Sequence, residues 1–315
     1  MSQHSARAPI VIGLVNNMPD GALKTTERQF KELLGAAAGT IAIRVRLFSL
    51  PEAARAQESR AYLDENYENF DNLWTSRLDG LIVSGTEPRT PVLSDEPYWH
   101  TLTQLVDWAE DHTISTVWSC LAAHAAVYHL DGISRQKFSE KLSGVFDTAK
   151  VTDHGILTDT PVAWCIPHSR SNDLPEAALI AAGYEMLSRS PVAGADMFMK
   201  QRKSLFLFLQ GHPEYDQGSL LREYQRDVGR YLRSERDAYP QMPRDYFDAA
   251  SAAAMLRFRA HALARRSPDL LADFPAVNVE GKSARAWRAP AVRIYANWLS
   301  LLLKSRFAAD ERAIE

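Results

Sequence analysis

Five short runs of apolar residues lack the alternation of polar and apolar positions that a half-exposed strand shows. They are rich in Val, Ile, Leu and Phe, which is typical of strands buried on both faces of a sheet. The runs cover residues 9–15, 41–48, 80–83, 114–118 and 205–209. Apolar residues at helical spacing lie between them, for example over 26–34 and 102–108. Strands that alternate with helices predict an α/β fold, in which a doubly wound, mainly parallel sheet lies between two helical layers.

The chain beyond residue 248 has a different composition. Residues 248–266 are rich in Ala and Arg at helical spacing, and a looser stretch follows up to residue 283. Over 292–303, apolar residues at helical spacing predict a final helix that packs back onto the domain. We therefore predict a single domain over 1–315, with an added segment at about 248–283 to which the sequence assigns no function.

Composition narrows the function classes. The 36 Lys and Arg residues nearly balance the 39 Asp and Glu residues, so the basic excess of a nucleic-acid-binding protein is missing. No stretch resembles a signal peptide or could span a bilayer, which predicts a cytoplasmic protein without a membrane partner. Small molecules are the expected partners. The reducing cytosol also disfavours a disulfide between Cys120 and Cys165.

Polar residues follow four of the apolar runs. They are Asn16–Pro19, Ser84–Thr86, Ser119-Cys120 and Gly211–Glu214. In open parallel sheets the ligand site lies beyond the carboxyl ends of the strands. These four loops are therefore the candidate site.

Cys120 lies between a predicted strand and a predicted helix, so the chain must turn sharply there. A thiol at a helix N-terminus is favoured as the thiolate, and nearby backbone N–H groups can form an oxyanion hole. A buried structural cysteine is the alternative, since free Cys is among the most buried residue types. His212 and Glu214 at a second strand end favour catalysis, because an imidazole oriented by a carboxylate can activate a thiol.

Other reactive residue types receive a structural interpretation. Cys165 lies inside an apolar run without a following helix, which predicts a core position. His124 and His129 follow Cys120 on the same predicted helix, but no carboxylate or thiol cluster completes a metal site with them. We predict no metal.

Several strings of the chain resemble the homoserine O-acyltransferases, a branch of the class I glutamine amidotransferase-like, flavodoxin-like fold. The order of an elbow cysteine and a later His-Pro-Glu is the order of that fold. The matching strings are Asn17-Met-Pro19, Gln29-Phe30, 80–83, Tyr98-Trp99, 140–145, Pro167-His-Ser-Arg170, 211–216, Arg226-Asp227 and 297–299. Most of the chain is covered.

The resemblance implies ping-pong acyl transfer, in which Cys120 takes an acyl group from acyl-CoA and the hydroxyl of homoserine then attacks the thioester. It implies His212 as general base with Glu214 as its partner. Lys141 and Ser169 match substrate-binding positions, and Arg226 matches the arginine that holds the amino acid carboxylate. The resemblance further implies a homodimer with no permanently bound cofactor, acyl-CoA being a co-substrate.

The chain departs from the family pattern at the expected site. Leu121 and His124 stand where the family has Trp and Gln, and the loop after Pro19 has lost its usual lysines. Arg89 falls where the family carries Gly or Glu, the position associated with succinyl or acetyl preference. A cation there would attract the free carboxylate of a succinyl group, which favours a succinyl donor.

The preferred hypothesis is therefore a homoserine O-succinyltransferase of methionine biosynthesis. A homoserine or serine O-acetyltransferase of the same mechanism is the alternative within the family. A glutaminase or thiol hydrolase would keep the nucleophile, although glutaminases usually need glycines beside it, where Ser119 and Leu121 stand. A non-catalytic binding protein of the same fold is the last alternative.

Overall fold

The computed structural model describes residues 8–277, 279 and 287–312, which include a nine-stranded mixed sheet with helices on both faces. The strands are β1 Ile10–Val15, β2 Ile43–Phe48, β3 Gly80–Val83, β4 Ser115–Ser119, β5 Gln136–Lys150, β6 Ala163–Asp173, β7 Glu185–Ser190, β8 Gly194–Gln201 and β9 Leu205–Leu209. Their spatial order is β2-β1-β3-β4-β9-β8-β7-β5-β6.

The five predicted strands form the parallel half of the sheet, β2-β1-β3-β4-β9. Every residue of β3, β4 and β9 is buried, as expected of central strands covered on both faces. Because β4 lies between β3 and β9, the residues that follow these three strands meet at one edge of the sheet. The predicted α/β class and the five predicted strands are confirmed.

The sequence analysis did not predict the antiparallel half of the sheet, strands β5 to β8. Strand β5 illustrates why. Its first half is largely exposed and polar, so it lacks the apolar run that marks a buried strand. Lys141 lies on this strand, in an irregular stretch just before Leu142, which pairs with Arg170 of β6. Ser169 directly precedes Arg170.

The described helices lie on both sides of the sheet. They are α1 Asp20–Ala38, α2 Gln57–Asn66, α3 Asp71–Trp74, α4 Trp99–His112, α5 Leu121–Asp131, α6 Glu176–Ala181, α7 Ser219–Leu232, α8 Ala249–Ala264 and α9 Arg288–Arg312. Helices α1 and α9 share one apolar core with one face of the sheet, whereas α4 and α5 share a second core with the other face. The result is the predicted three-layer arrangement.

Helix α9 packs closely on the parallel strands. The indole N–H of Trp298 donates a 2.9 Å hydrogen bond to Ser115 Oγ in β4. Gly80 in β3 lies directly beneath this helix, since a Cβ at that position would come within 2.8 Å of the Trp298 ring. None of the described helices combines the length and apolar character needed to cross a membrane.

The added segment begins with α8, whose N-terminus is capped by Asp248 through a 2.6 Å bond from the Ser251 N–H. A small apolar cluster joins α8 to α7, with Met255 and Phe258 packed against Tyr224 and Val228. A short 3-10 turn over Pro268–Asp273 completes this cluster. Residues 278 and 280–283 of the predicted segment lie outside the described residues.

Candidate active site

Cys120 occupies a sharp turn between β4 and α5. Its backbone φ of 51° lies in the left-handed region, which L-residues other than Asn and Asp rarely adopt. The Cys120 N–H donates a 2.7 Å bond to the Leu209 carbonyl of β9, which ties the turn to the neighbouring strand. Strained backbone of this kind clusters at active sites, where the surrounding structure holds it. The structure thus places the thiol at the N-terminus of α5, where the sequence predicts it.

Gly85, in the loop after β3, packs against the first residue of α5. A Cβ at residue 85 would lie 2.9 Å from the Leu121 backbone nitrogen and 3.2 Å from the Ser119 carbonyl oxygen. Only glycine lets the two loops approach this closely. Leu121 is the first residue of its helix, so its N–H has no partner from the preceding helical turn. This backbone can therefore supply a donor to an oxyanion formed beside Cys120.

His212 and Glu214 follow β9 and are hydrogen-bonded to each other. His212 Nδ1 lies 2.8 Å from Glu214 Oε1, and both side chains are buried. The Nδ1–H donates to the carboxylate, which leaves Nε2 as the nitrogen that can exchange a proton. Nε2 is buried and has no hydrogen-bond partner within standard geometry in the described part of the chain.

The environment of His212 favours the imidazolium. Burial is the largest influence and lowers its pKa, but the charges of Glu214 and then Cys120 oppose it. The net pKa of His212 lies well above its usual value. The ring also stacks on Tyr215, with centroids 4.1 Å apart, which fixes its plane. An imidazolium held in this way stabilises a neighbouring thiolate.

Three further contacts fix the loop that carries His212. The His212 N–H donates to the Pro167 carbonyl of β6 at 2.8 Å. A Cβ on Gly211 would lie 2.6 Å from Asp196 Oδ1, so the loop is pressed against the antiparallel strands. From the other side, the Trp287 indole donates to the Tyr215 carbonyl at 2.9 Å. The base is therefore positioned by parts of the chain far apart in sequence.

Glu223 of α7 lies at the centre of a second polar group. Its carboxylate accepts hydrogen bonds from Ser169 Oγ and, at 2.5 Å, from the Tyr215 hydroxyl, and Lys141 Nζ lies 3.4 Å away. Burial alone would raise the pKa of Glu223, but Lys141, Ser169 and Tyr215 outweigh it and the pKa is lowered. Glu223 is thus a buried carboxylate that links the predicted substrate residues to the ring stacked on His212.

Arg226 lies one turn further along α7, beside another acid. Its Nε and NH2 groups lie 3.1 and 3.0 Å from Asp227 Oδ1, and Lys141 Nζ lies 3.0 Å from Asp227 Oδ2. Arg230, also on α7, forms a two-pronged pair with Glu87 of the β3 loop at 2.5 and 2.8 Å. Cations and carboxylates therefore alternate along this wall.

Sequence reasoning did not single out Glu223. The signal available was its position four residues before Asp227 on a helix that follows the His-Pro-Glu string, which puts both carboxylates on one face. Charges at that spacing usually form a solvated helix face. Only the contacts from β5 and β6 mark this face as part of a site.

One cavity of about 500 Å³ connects these groups. The predicted site residues that line it are Cys120, Lys141, Ser169, His212, Glu214 and Arg226. Arg89 is exposed and lines an adjacent cavity of about 270 Å³ instead, where Glu96 Oε1 accepts a 2.6 Å bond from its backbone N–H. Glu87 and Arg230 line both cavities. Six of the seven predicted residues thus share one space.

The two histidines of α5 differ in environment. His124 is fully buried beside the cavity, and its Nε2 lies 2.8 Å from Gln210 Oε1. Because the Gln210 amide N–H group donates to the Ala195 carbonyl, its oxygen accepts from His124, which leaves His124 Nδ1 as an acceptor. Burial lowers the pKa of His124 to about 3, so the ring is neutral. His129 pairs with Asp107 near the surface at 2.8 Å.

Both cysteines are free thiols. Cys165 is half-buried in β6, packs against the apolar core, and its Sγ lies 3.3 Å from Asp147 Oδ1. Burial and then Asp147 raise the pKa of Cys165 to about 11. Within the described ranges, no group of three or more His, Cys, Asp or Glu side chains has the arrangement of a metal site.

The fold and the elbow cysteine define a class I glutamine amidotransferase-like protein with a cysteine, histidine and glutamate at its strand ends. A solved glutamine amidotransferase from Methylobacillus flagellatus aligns with a TM-score of 0.53 and 15% identity, covering 93% of this chain and 94% of that one. A glutamine amidotransferase from Thermotoga maritima aligns with a TM-score of 0.50 and 10% identity, covering 94% and 99%. At these identities the likeness shows the fold alone.

Sequence relatives identify the family within this fold. The family model for homoserine O-succinyltransferase matches residues 1–307. A homoserine O-succinyltransferase of Rhodopseudomonas palustris is 49% identical over 296 residues, covering 94% of this chain and 89% of the relative. One from Bradyrhizobium japonicum is 47% identical over 304 residues, covering 94% and 92%. The chain belongs to the homoserine O-succinyltransferase family.

Proposed function

We propose that this protein transfers a succinyl group from succinyl-CoA to the hydroxyl of homoserine through a thioester on Cys120. The observation that carries the proposal is the arrangement around His212. Glu214 is bonded to its Nδ1, and Cys120, which lines the same cavity, interacts with the imidazole and helps to raise its pKa. Such an imidazole can serve the thiol and the incoming hydroxyl in turn.

In the first half-reaction the Cys120 sulfur attacks the thioester carbonyl of succinyl-CoA. The resulting oxyanion lies near the backbone of Leu121 and Gly85, where N–H groups can stabilise it. The carbon–sulfur bond to CoA then breaks, and the His212 imidazolium gives its proton to the departing CoA thiolate. The products are free CoA and a succinyl thioester on Cys120.

In the second half-reaction neutral His212 takes the proton of the homoserine hydroxyl as its oxygen attacks the thioester. The carbon–sulfur bond to Cys120 breaks, and the sulfur leaves as a thiolate beside the re-formed imidazolium. Glu214 holds the ring in one tautomer and stabilises its charge in both steps.

The part of the cavity wall that contains Lys141, Glu223 and Arg226 suits a zwitterionic acceptor. Lys141 and Arg226 offer cationic donors to a carboxylate, and Glu223 offers an anion to an ammonium group. A guanidinium matches a carboxylate in a two-pronged geometry, which is the role we assign to Arg226. Ser169 positions Glu223 through its hydroxyl and contacts the acceptor from β6.

Intact-protein mass spectrometry with succinyl-CoA in the absence of homoserine tests the proposal. The wild type should gain one succinyl group and release one equivalent of CoA, and homoserine should then remove the group. Cys120→Ser should gain none. Cys165→Ser is the matched control, because it removes the other thiol and should be acylated normally. Turnover by Cys120→Ser would rule out the thioester mechanism, and ammonia release from glutamine would favour a glutaminase.

The remaining expectations stay predictions. The sequence predicts a cytoplasmic location, and the family resemblance implies a homodimer and no tightly bound cofactor. Light scattering on the purified protein measures the oligomeric state, and the absorbance spectrum together with native mass spectrometry would reveal a retained cofactor. A monomer would contradict the homodimer.

A further inference from the structure

Arg135 is a cation in the wall of the Cys120 cavity without a carboxylate partner in the described structure. It lies in the loop between α5 and β5, and its NH2 group donates to the Pro91 carbonyl at 3.1 Å. Its NH1 group is buried and has no hydrogen-bond partner among the described residues. Most of the donor capacity of this guanidinium is therefore unused.

Four other cations that line the same cavity are paired with carboxylates. Lys141, Arg226 and Arg230 have carboxylate oxygens at 3.0, 3.0 and 2.5 Å, respectively. Arg170 is likewise bound to Asp173 at 2.8 Å. Lys137 and Arg236 also line the cavity without a carboxylate within 4 Å among the described residues, but Lys137 is exposed and Arg236 Nε donates to the Ala238 carbonyl at 2.8 Å. A partly buried cation is costly unless a counter-charge compensates it, and the protein supplies none at contact distance to Arg135.

The charges around Arg135 show where a counter-ion is missing. Burial lowers the pKa of Arg135, and Tyr98, Glu96 and Cys120 act in the opposite direction from longer range. One oxygen of the Glu96 carboxylate, Oε1, accepts from the backbone N–H groups of Arg89 and Thr90 at 2.6 and 2.8 Å. The other, Oε2, is buried without a hydrogen-bond partner in the described part of the chain and forms no ion pair with Arg135. The sulfur of Cys120, in contrast, is the atom that would carry the acyl group.

A succinyl group carries a free carboxylate at the end remote from the sulfur to which it is attached. When extended from a sulfur atom, it places its carboxylate carbon about 5 Å away, given bonds of about 1.5 Å. The Cys120 sulfur and Arg135 interact electrostatically across the same cavity. A carboxylate at the end of the acyl chain would meet the unused donors of Arg135 in a forked, charge-assisted contact.

We propose that Arg135 binds the free carboxylate of the succinyl group on Cys120 and thereby selects a dicarboxylic acyl donor. This inference rests on the proposed function and deepens it. It assigns to Arg135 the role that the sequence gives to Arg89, whose side chain lines the adjacent cavity. An acetyl group has no free carboxylate and so offers Arg135 no counter-charge.

Donor selectivity in the first half-reaction tests the inference. Succinyl-CoA and butyryl-CoA are nearly the same size, but butyryl ends in a methyl group in place of the carboxylate. We expect Arg135→Met to acylate Cys120 from succinyl-CoA about 100-fold more slowly, as for loss of a charge-assisted contact. The rate with butyryl-CoA should stay the same or rise. Arg89→Met is the matched control and should keep the wild-type ratio of the two rates.

The outcomes distinguish a failure of the inference from a failure of the proposed function. If wild type is acylated by succinyl-CoA but Arg135→Met keeps the ratio, the inference is wrong and the function stands. Loss of the ratio in Arg89→Met alone would also overturn it and would favour Arg89. If wild type takes no acyl group from either donor, the proposed function fails and the inference with it. Should Arg135→Met fail to fold, Arg135→Lys keeps the charge without the fork and should lose part of the selectivity.

Discussion

Replacing Gly85 by Ala should slow the acylation of Cys120, although it changes none of the predicted site residues. The added Cβ would lie 2.9 Å from the Leu121 backbone nitrogen and 3.3 Å from the Leu121 Cβ. Neither neighbour is the end of a flexible side chain. The loop after β3 and the elbow must therefore move apart.

The size of the effect follows from these distances. Ordinary contact begins near 3.4 Å, so the two backbones must separate by roughly half an ångström. Misplacement by 1 Å can cost about 10²-fold in rate, and loss of one oxyanion donor costs about 10² to 10³-fold. We expect a decrease of about 10 to 100-fold in the acylation rate, together with a loss of stability of about 1–3 kcal/mol from overpacking.

Stopped-flow measurement of CoA release from succinyl-CoA gives the acylation rate directly. Gly35→Ala is the matched control, because Gly35 is exposed on α1 and a Cβ there meets no atom within 4 Å. That variant should acylate normally and be slightly more stable, since Ala favours a helix by about 0.5–1 kcal/mol over Gly. A Gly85→Ala protein that releases CoA at the wild-type rate would refute the argument that this glycine shapes the oxyanion site.

Three further outcomes are expected. Glu214→Gln should lower the pKa of His212, because burial then acts unopposed by the carboxylate; NMR titration of the imidazole measures this. A charged His212 stabilises the folded state fully below its usual pKa of about 6.5, and this contribution is lost as the pH rises through the raised pKa. The Glu214→Gln variant should therefore be most destabilised, relative to the wild type, at low pH. His124→Leu should cost about 1–3 kcal/mol in urea unfolding because Gln210 Oε1 loses its donor, and an unchanged midpoint would contradict the assigned tautomer. Iodoacetamide near neutral pH should leave Cys165 unmodified, since its pKa of about 11 keeps it a thiol; peptide mapping that finds it alkylated first would oppose this.

The central parallel strands could be predicted because they are buried on both faces and are mostly apolar. Strand β2 differs, because it lies at the sheet edge, is partly exposed and carries Arg44 and Arg46. Strand β5 could not be predicted, because its exposed face carries polar residues that interrupt the pattern. The same strand carries Lys141, which by itself resembles a solvated surface charge.

The residues of the candidate site also differ in whether the sequence alone predicts them. Cys120, His212 and Glu214 could be proposed from the chain because each directly follows a recognisable strand, and parallel strands bring such residues to one edge. Lys141, Ser169 and Arg226 needed the family resemblance. Glu223 and Arg135 were missed, since their importance depends on which charges the fold leaves paired or unpaired, and no local pattern records that.

The hydrogen bond from the Trp287 indole to the Tyr215 carbonyl joins a late part of the chain to the loop that carries His212. The two residues are 72 positions apart, and Trp287 directly precedes helix α9. A ribosome synthesises the elbow cysteine and the histidine loop well before the residue that braces that loop, and domains assemble from the N-terminal side as they emerge. The nascent chain therefore contains its nucleophile and its base before the residue that braces the base, and this bond can form only after Trp287 has been synthesised.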